Sequence, residues 1–359
     1  MSEPLNLHEY EARAQERLER MVYDYYAGGA GDESTVSDNL CPWDRIRLVP
    51  RVLVDVSHID PATTVLGRPV AFPVLAAPCA FNRLAHDEGE RAVARAATAA
   101  GTIQILSTVS TVSMEDVAAA APEGRRWFQL YCYKDRGVTR ALVERAAAAG
   151  YEALCLTVDV PVAARRERDI RNRFHLPPGI QLANMTDLAP DRMDEREDQS
   201  ALEQHVRGLW DRSLTWDIVD WLASLSPMPV VVKGVLHPDD ARLAVEHGCK
   251  AVIVSNHGGR QLDGAIATCD ALPAVVDAVG GRADVLVDGG VRRGTDVLKA
   301  LALGADAVLV GRPYLWGLAV DGEAGVARVL ALLREEFEQA MALVGKTKTA
   351  DIDRAILVS

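Results

Sequence analysis

The sequence predicts a single α/β domain in which eight parallel strands, each followed by a helix, close into a (β/α)₈ TIM barrel. Short, apolar, β-branched runs recur eight times along the chain, and Ala-rich helical stretches follow them. The runs show no apolar–polar alternation, as expected of parallel strands covered on both faces. They begin at Pro73, Thr102, Trp127, Ala153, Val230, Ala251, Asp284 and Ala307.

The segments between the runs carry signals for the start and end of helices. Those that begin at Asp87 and Asp135 open with an acidic residue and end at glycine, and the segment from Gly290 has the same form. The alternative architecture is a doubly wound open sheet. That fold usually has fewer repeats and a G-x-G-x-x-G motif after its first strand, which this sequence lacks.

The length of 359 residues fits one elaborated barrel, so we expect a single domain over residues 1–359. An N-terminal segment of about residues 1–70 precedes the barrel and contains one or two helices that end near Tyr26. A long insertion, roughly residues 160–215, follows the fourth strand. Its middle, from Thr186, is polar, acidic and proline-containing, and we interpret it as a mobile lid or loop.

Composition excludes several classes of protein. The net charge of −12 argues against a general binder of nucleic acid or anionic membranes. The six cysteines have no metal-ligand spacing, which favours free thiols in a reducing compartment. The N-terminus lacks the apolar core of a signal peptide, and no apolar stretch is long enough to span a membrane. We therefore expect a cytoplasmic protein.

Polar side chains follow the predicted strands at their carboxyl ends, which is where barrels of this kind carry their chemistry. Many are charged, and packing alone does not explain so many ionisable residues at one rim. The residues concerned are Gln129, Tyr131, Thr157, Asp159, Lys233, Ser255, Asn256, His257, Arg260, Asp288, Arg292 and Arg312.

The turns after strands seven and eight predict a phosphate site. Gly289 and Gly290 precede Arg292, and Gly311 precedes Arg312. Glycines let backbone N–H groups approach an anion, and arginines can hold its oxygens in bidentate fashion. The alternative is a pair of tight turns with surface arginines, but both turns occur at the strands where barrels commonly bind phosphate.

His257 is the candidate general base. A lone histidine is commonly a satisfied core residue, but Asp159 is placed to orient His257 and stabilise its cation. Arg260 can supply a bidentate donor to a carboxylate, and Arg166 is the member of its arginine-rich segment that we assign to the site. Lys233 ends a buried strand, a costly position unless the lysine faces an anion. The other histidines lack metal-ligand spacing, so no metal site is expected, and the tryptophans are interpreted as packing residues.

The motifs resemble the FMN-dependent 2-hydroxy-acid oxidase and dehydrogenase family, most closely its glycolate oxidase and lactate oxidase branch. The most specific are SNHGGRQLD, from Ser255, and DGGVRRGTDVLKALALGA, from Asp288. WFQLY, LTVD and VVKGV occur in the order found in the family. The likeness extends from YDYYAGGAGDE, at Tyr23, to EFEQAMALVG, which ends at Gly345.

The resemblance implies oxidation of an (S)-2-hydroxy acid to the 2-oxo acid, with FMN as cofactor and O₂ reduced to hydrogen peroxide. It also implies a homotetramer. One alternative keeps the same substrate oxidation but passes electrons to a quinone or protein, as a dehydrogenase. Two others are an FMN-barrel isomerase of the isopentenyl-diphosphate type and a catalytically inactive binding protein.

The family's residue roles transfer by resemblance. His257 is the base, Asp159 stabilises its protonated form, Arg166 and Arg260 hold the substrate carboxylate, and Tyr25 and Tyr131 hydrogen-bond the substrate. Lys233 lies by the flavin N1–C2 carbonyl and stabilises negative charge there. The remaining FMN contacts are the backbone of Ala77, Pro78, Cys79 and Ala80, the ring-edge residues Ser107, Gln129 and Thr157, Ser255 and Asp288 near the ribityl chain, and Gly289, Arg292, Gly311 and Arg312 at the phosphate.

Three positions depart from the family pattern. Cys79 replaces a usual threonine, Ala164 replaces a usual glycine, and Val109 stands where glycolate oxidase has tryptophan. Val109 and Ala163 imply less bulk around the substrate's side chain, although Phe81 can restore some of it. We therefore expect tolerance of lactate and of longer or aromatic 2-hydroxy acids.

Overall fold

The computed structural model describes residues 3–185 and 200–358, and it confirms the predicted barrel. Eight parallel strands close in the order β10-β3-β4-β5-β6-β7-β8-β9. The barrel strands are β3 Val74–Ala76, β4 Ile103–Leu106, β5 Arg125–Leu130, β6 Leu154–Thr157, β7 Val230–Val235, β8 Ala251–Val254, β9 Asp284–Val287 and β10 Ala307–Val310. The predicted lid, from Thr186, lies outside the described residues.

The strands are apolar throughout because both of their faces are buried. One set of side chains, which includes Leu75, Ile105 and Trp127, fills the barrel interior. The alternate set, which includes Val74 and Phe128, packs under the surrounding helices. A short antiparallel hairpin that the sequence analysis did not predict, β1 Thr63–Val65 and β2 Arg68–Val70, packs against the interior set and closes the amino end of the barrel.

The helices form where the sequence signals place them. The Asp135 side chain accepts a hydrogen bond from the backbone N–H of Gly137 at the start of α7 (Arg136–Ala148), and the Ser113 side chain accepts one from the N–H of Asp116 at the start of α6 (Met114–Ala120). The helices before the barrel are α1 Leu7–Arg17, α2 Arg20–Ala27, α3 Ser34–Asp38 and α4 Cys41–Arg45; those that follow are α5 Gly89–Ala99, α6 Met114–Ala120, α7 Arg136–Ala148, α8 Glu167–Arg171, α9 Ala201–Leu209, α10 Asp217–Leu225, α11 Pro238–Glu246, α12 Thr268–Val279, α13 Gly294–Ala302 and α14 Arg312–Val344, with 3₁₀ turns at Asn82–Leu84, Thr349–Asp351 and Arg354–Ile356.

The N-terminal segment is fastened to the carboxyl end of the barrel. Asp263, in the loop after β8, accepts hydrogen bonds from the backbone N–H groups of Asp32 and Thr35 at 2.9 Å. The N–H of Ala30 donates to the carbonyl oxygen of Gly259. These bonds bring residues near the start of the chain to the rim where the strands end.

Other features of the fold concern its chemistry. All six cysteines are free. Among the described residues, no helix is both long and apolar enough to cross a bilayer. The same part of the chain contains no cluster of His, Cys, Asp and Glu side chains that could hold a metal ion.

Helix α14 is kinked at Asp321 and Gly322, and the two halves touch through glycine. A Cβ placed on Gly325 would lie only 1.9 Å from the carbonyl oxygen of Gly317. Since no side chain fits there, the close approach of the two halves requires glycine.

We expect Gly325→Ala to lower the free energy of unfolding by about 2–3 kcal/mol, the cost of forcing an extra carbon into a packed contact. Urea or thermal unfolding measures the change. The control is Gly208→Ala in α9, where an added Cβ meets nothing within 4 Å, and we expect that variant to stay within about 1 kcal/mol of the parent. Equal stability of the two variants would contradict this account of α14.

Candidate active site

A cleft opens at the carboxyl ends of the barrel strands, with a volume of about 1300 Å³ including its mouth. Most of the predicted site residues line it: Tyr25, Ala77, Pro78, Cys79, Ala80, Ser107, Val109, Tyr131, Ala163, Arg166, Lys233, His257, Arg260, Asp288, Gly289, Arg292, Gly311 and Arg312. The structure thus brings together side chains from the N-terminal segment, the strand ends and the insertion. A single cleft of this size can hold both a cofactor and a small substrate.

Five predicted residues do not line the cleft. Asp159, Ser255 and Gln129 are each one hydrogen bond away, since they contact His257, Lys233 and Ser107 respectively. Thr157 is separated from the cleft by Gln129, and its hydroxyl oxygen accepts a hydrogen bond from Gln129 Nε2 at 3.1 Å. Phe81 is fully buried: its ring lies behind Tyr25, with 5.5 Å between ring centroids, so its position does not match the expectation that it borders the substrate.

His257 and Asp159 form a hydrogen-bonded pair, with 2.9 Å between His257 Nδ1 and Asp159 Oδ1. The backbone of His257 is left-handed, with φ of 59°, a conformation that non-glycine residues adopt only at a cost. Asp159 packs directly on Gly234, where a Cβ would come within 2.6 Å of the aspartate side chain. The pairing register between β7 and β8 shifts at this glycine. The backbone irregularity therefore lies where Asp159 packs against the strand.

Burial and mutual attraction decide the charges of the pair. Burial lowers the pKa of His257 and the Asp159 carboxylate only partly opposes this, so the imidazole is neutral near pH 7. Burial opposes ionisation of Asp159, but His257 and Lys233 outweigh it and hold its pKa below the usual range. A neutral imidazole beside an ionised carboxylate carries its proton on Nδ1. The Nε2 lone pair is then free to accept a proton.

Two guanidinium groups lie close together in the same cleft. Arg260 Nη1 donates to the carbonyl oxygens of Tyr25 and Gly28 at 2.6 and 2.9 Å, and its guanidinium carbon is 4.8 Å from the Tyr25 ring centroid. Arg166 Nε donates to the carbonyl oxygen of Arg260 at 3.3 Å, and Arg166 Nη1 lies 3.7 Å from Asp169. Burial and Arg260 lower the pKa of Arg166. This cationic pair is suited to a carboxylate ligand.

Two other arginines of the 165–173 segment are paired with carboxylates, as expected for most of this segment. Arg168 contacts Asp24 and Glu33 at 3.3 and 2.6 Å, and Arg171 contacts Glu167. The Arg168 pairs connect the segment to the N-terminal part of the chain, whereas Arg166 lines the cleft.

Lys233 is buried and doubly held. Its Nζ donates to Ser255 Oγ at 2.7 Å and lies 3.0 Å from Asp288 Oδ2. Burial alone would lower the pKa of Lys233, but Asp288 and Asp159 raise it, so the ammonium stays charged. The second oxygen, Asp288 Oδ1, is buried without a hydrogen-bond partner among the described residues. Such an oxygen is available to a ligand hydroxyl.

A second cationic region lies where strands β9 and β10 end. Arg312 donates to the carbonyl oxygens of Tyr26, Gly28 and Gly258, each at 2.9 Å. Within residues 3–185 and 200–358, no carboxylate forms an ion pair with Arg260, Arg292 or Arg312. Burial and the neighbouring arginines lower the pKa of Arg312 to about 9. The region therefore carries positive charge that an anionic ligand would balance.

Aromatic and apolar side chains complete the cleft. Tyr131 stacks on Trp210, with ring centroids 3.7 Å apart, and Trp210 lines the cleft, which corrects the interpretation of every tryptophan as a packing residue. The sequence analysis also missed other lining residues: Tyr26, Val160, Ala164, Asp169, Leu202, Glu203 and Val206. Leu202, Val206 and Trp210 recur every four residues, a helical spacing in the insertion that could have identified this wall.

A buried carboxylate ties two loops of the cleft together. Glu90 is 1% exposed, and its Oε1 accepts from the backbone N–H groups of Asn82 and Thr111 at 3.1 and 2.8 Å. Asn82 follows the Ala77–Ala80 stretch, and Thr111 follows Val109. No sequence pattern predicts this contact, which we call the Glu90 clamp, because Glu90 lies in an ordinary amphipathic helix.

Comparisons with known proteins find relatives along nearly the whole chain. A family profile described as FMN-dependent dehydrogenase matches residues 14–359. The chain is 56% identical to an L-lactate oxidase from Nostoc sp., over 99% of both chains, and 53% identical to glycolate oxidase 1 from Oryza sativa subsp. indica, over 99% of this chain and 96% of the relative. A crystal structure of mandelate oxidase with (S)-4-hydroxymandelic acid superposes with a TM-score of 0.94 at 43% identity, covering 99% of this chain and 98% of that one.

We expect Asp159→Asn to lower the pKa of His257 further, because the carboxylate that favours the imidazolium is removed while burial and the nearby cations remain. An NMR pH titration of ring-labelled histidine measures the shift, with the His257 signal assigned by its absence in His257→Gln. The matched control is Asp220→Asn. Asp220 is the carboxylate partner of another histidine, with 3.0 Å between His247 Nδ1 and Asp220 Oδ2, so this substitution should leave the pKa of His257 unchanged. A pKa that rises in Asp159→Asn would contradict the assignment.

Proposed function

The chain belongs to the FMN-dependent dehydrogenase family, and on that premise we propose that it oxidises an (S)-2-hydroxy acid to the 2-oxo acid, with FMN as cofactor and O₂ as electron acceptor. The compared relatives support this, since they are named as oxidases of lactate, glycolate and mandelate, which are all 2-hydroxy acids. The substrate loses two electrons and two protons overall. O₂ gains the same number and becomes hydrogen peroxide.

The pairing of a histidine base with two guanidinium groups is the observation that carries the proposal. A 2-hydroxy acid presents a carboxylate beside a carbon that bears a hydroxyl. Arg166 and Arg260 supply fixed charge for the carboxylate, and the His257–Asp159 pair supplies a neutral base in the same cleft. When the two arginines bind the substrate's carboxylate, they hold the reacting carbon next to the base. Such positioning accounts for a large part of the rate enhancement of many enzymes.

The residues present also fit FMN. Arg292 and Arg312 lie beside Gly289, Gly290 and Gly311 and lack an anionic partner, which suits the phosphate. At Gly290 a Cβ would come within 1.7 Å of the Asn39 carbonyl oxygen, so this turn admits only glycine. The partnerless Asp288 Oδ1 can accept from a ribityl hydroxyl, and charged Lys233 can stabilise negative charge on the flavin ring. When bound, FMN supplies the two-electron acceptor for the substrate.

The protein's own groups position the substrate and manage its proton. His257 Nε2 accepts a proton from the substrate, and Asp159 stabilises the imidazolium that results. Burial raises the pKa of Tyr25 and of Tyr131, so both hydroxyls stay protonated and can donate to the substrate's oxygens. Arg166 and Arg260 keep the carboxylate in place throughout.

Several apolar side chains line the part of the cleft that we assign to the substrate's side chain. Val109 and Ala163 are small, and Leu202, Val206 and Trp210 extend the wall along α9. We therefore propose activity towards lactate and longer or aromatic 2-hydroxy acids in addition to glycolate. A homotetrameric assembly and a cytoplasmic location stay predictions, the first from the resemblance and the second from composition.

The test is an anaerobic titration followed by admission of air. Addition of (S)-lactate to the purified holoenzyme should bleach the flavin's visible absorbance, and air should restore it with formation of hydrogen peroxide. We expect His257→Gln to retain FMN but to bleach at least about 100-fold more slowly, the usual contribution of a general base. Stopped-flow absorbance measures the rates.

His247→Gln is the matched control, because His247 also has a carboxylate partner but lies away from the cleft. It should bleach like the parent. A His257→Gln variant that bleaches at the parental rate would remove His257 as the base. Slow recovery of the parent's absorbance in air would overturn O₂ as acceptor and leave the substrate chemistry intact.

A further inference from the structure

The carboxylates that line the cleft differ in how they are neutralised. Among the described lining residues, Asp169 lies beside Arg166 and Asp288 beside Lys233, at 3.7 and 3.0 Å. Glu203 has no ion-pair or hydrogen-bond partner within the part of the chain that the structure describes. It is the third residue of α9 and is only partly exposed. Within the described residues, nothing neutralises its negative charge.

That space is the proposed compartment for the substrate's side chain. Glu203 lies between Leu202 and Val206 on the helix whose face forms the apolar wall with Trp210. The cations of the cleft are already assigned: two arginines to the substrate carboxylate, two to the FMN phosphate, and Lys233 to Asp288. Among the described residues that line the cleft, a second carboxylate on the substrate would meet apolar side chains and one like charge, with no unassigned cation to balance it.

We propose that Glu203 is a specificity-determining residue that selects 2-hydroxy monocarboxylates with uncharged side chains and rejects those with a second carboxylate. This inference rests on the proposed function. An acidic residue in the first turn also stabilises a helix, so the test separates electrostatic selection from helix stability.

The experiment compares two substrates of equal size, (S)-malate and its 4-amide, which differ in the charge of the distal group. The readout is the ratio of kcat/KM for the amide to kcat/KM for malate. We expect Glu203→Gln to lower this ratio about tenfold, as removal of a like charge at contact distance in a partly hydrated site would do. Glu203→Asp keeps the charge and should keep the ratio within about threefold. Raising the salt concentration should lower the ratio in the parent but not in Glu203→Gln.

Glu123→Gln, at an exposed position that does not line the cleft, is the matched control and should leave the ratio unchanged. Thermal unfolding of each variant reports on helix stability. A Glu203→Gln variant with a lowered melting temperature and an unchanged ratio would assign Glu203 a structural role only and overturn the inference. Failure of the parent to oxidise lactate would instead overturn the proposed function, so the two failures are distinguishable.

Discussion

Repulsion among the cations of one cleft is the constraint around which the molecule is built. Arg260 and Arg312 are partly buried, both donate to the carbonyl oxygen of Gly28, and they are further stabilised by the carbonyl oxygens of Tyr25, Tyr26 and Gly258 in place of carboxylates. Carbonyl dipoles solvate a cation without cancelling its charge, which leaves a net positive field in the cleft. An acidic protein thus keeps a cationic interior site, and anionic ligands stabilise the folded state as well as occupy it.

Much of this site could be predicted from the sequence because parallel strands buried on both faces are apolar. Any polar side chain at the end of such a run therefore stands out, and Lys233, His257 and Asp288 were all identified in this way. The turns after the last two strands were identified because glycine and arginine together have few structural explanations. Chain order alone then places these residues at one rim, since parallel strands all end at the same edge.

The remainder depends on packing that no local pattern encodes. The aromatic ring of Phe81 follows β3 as a substrate contact would, yet it packs behind Tyr25. Trp210 lies in the insertion, where there is no strand register, so only its helical spacing from Leu202 and Val206 distinguishes it from the other tryptophans. The Glu90 clamp joins two loops through backbone N–H groups, and backbone donors leave no trace in the sequence. The three-residue strands of the β1–β2 hairpin are too short to show alternation.

The long-range bonds between the N-terminal segment and the barrel also set the order in which the site is completed. The carbonyl oxygen of Tyr26 is held by Arg312, 286 residues later in the chain, and that of Tyr25 by Arg260, 235 residues later. During synthesis the segment leaves the ribosome first, but its partners are among the last parts of the barrel to emerge. Most barrel strands pair with the next strand along the chain, but the β10–β3 pair that closes the barrel also joins distant parts of the sequence. A partly synthesised chain therefore has neither a closed barrel nor a complete substrate site.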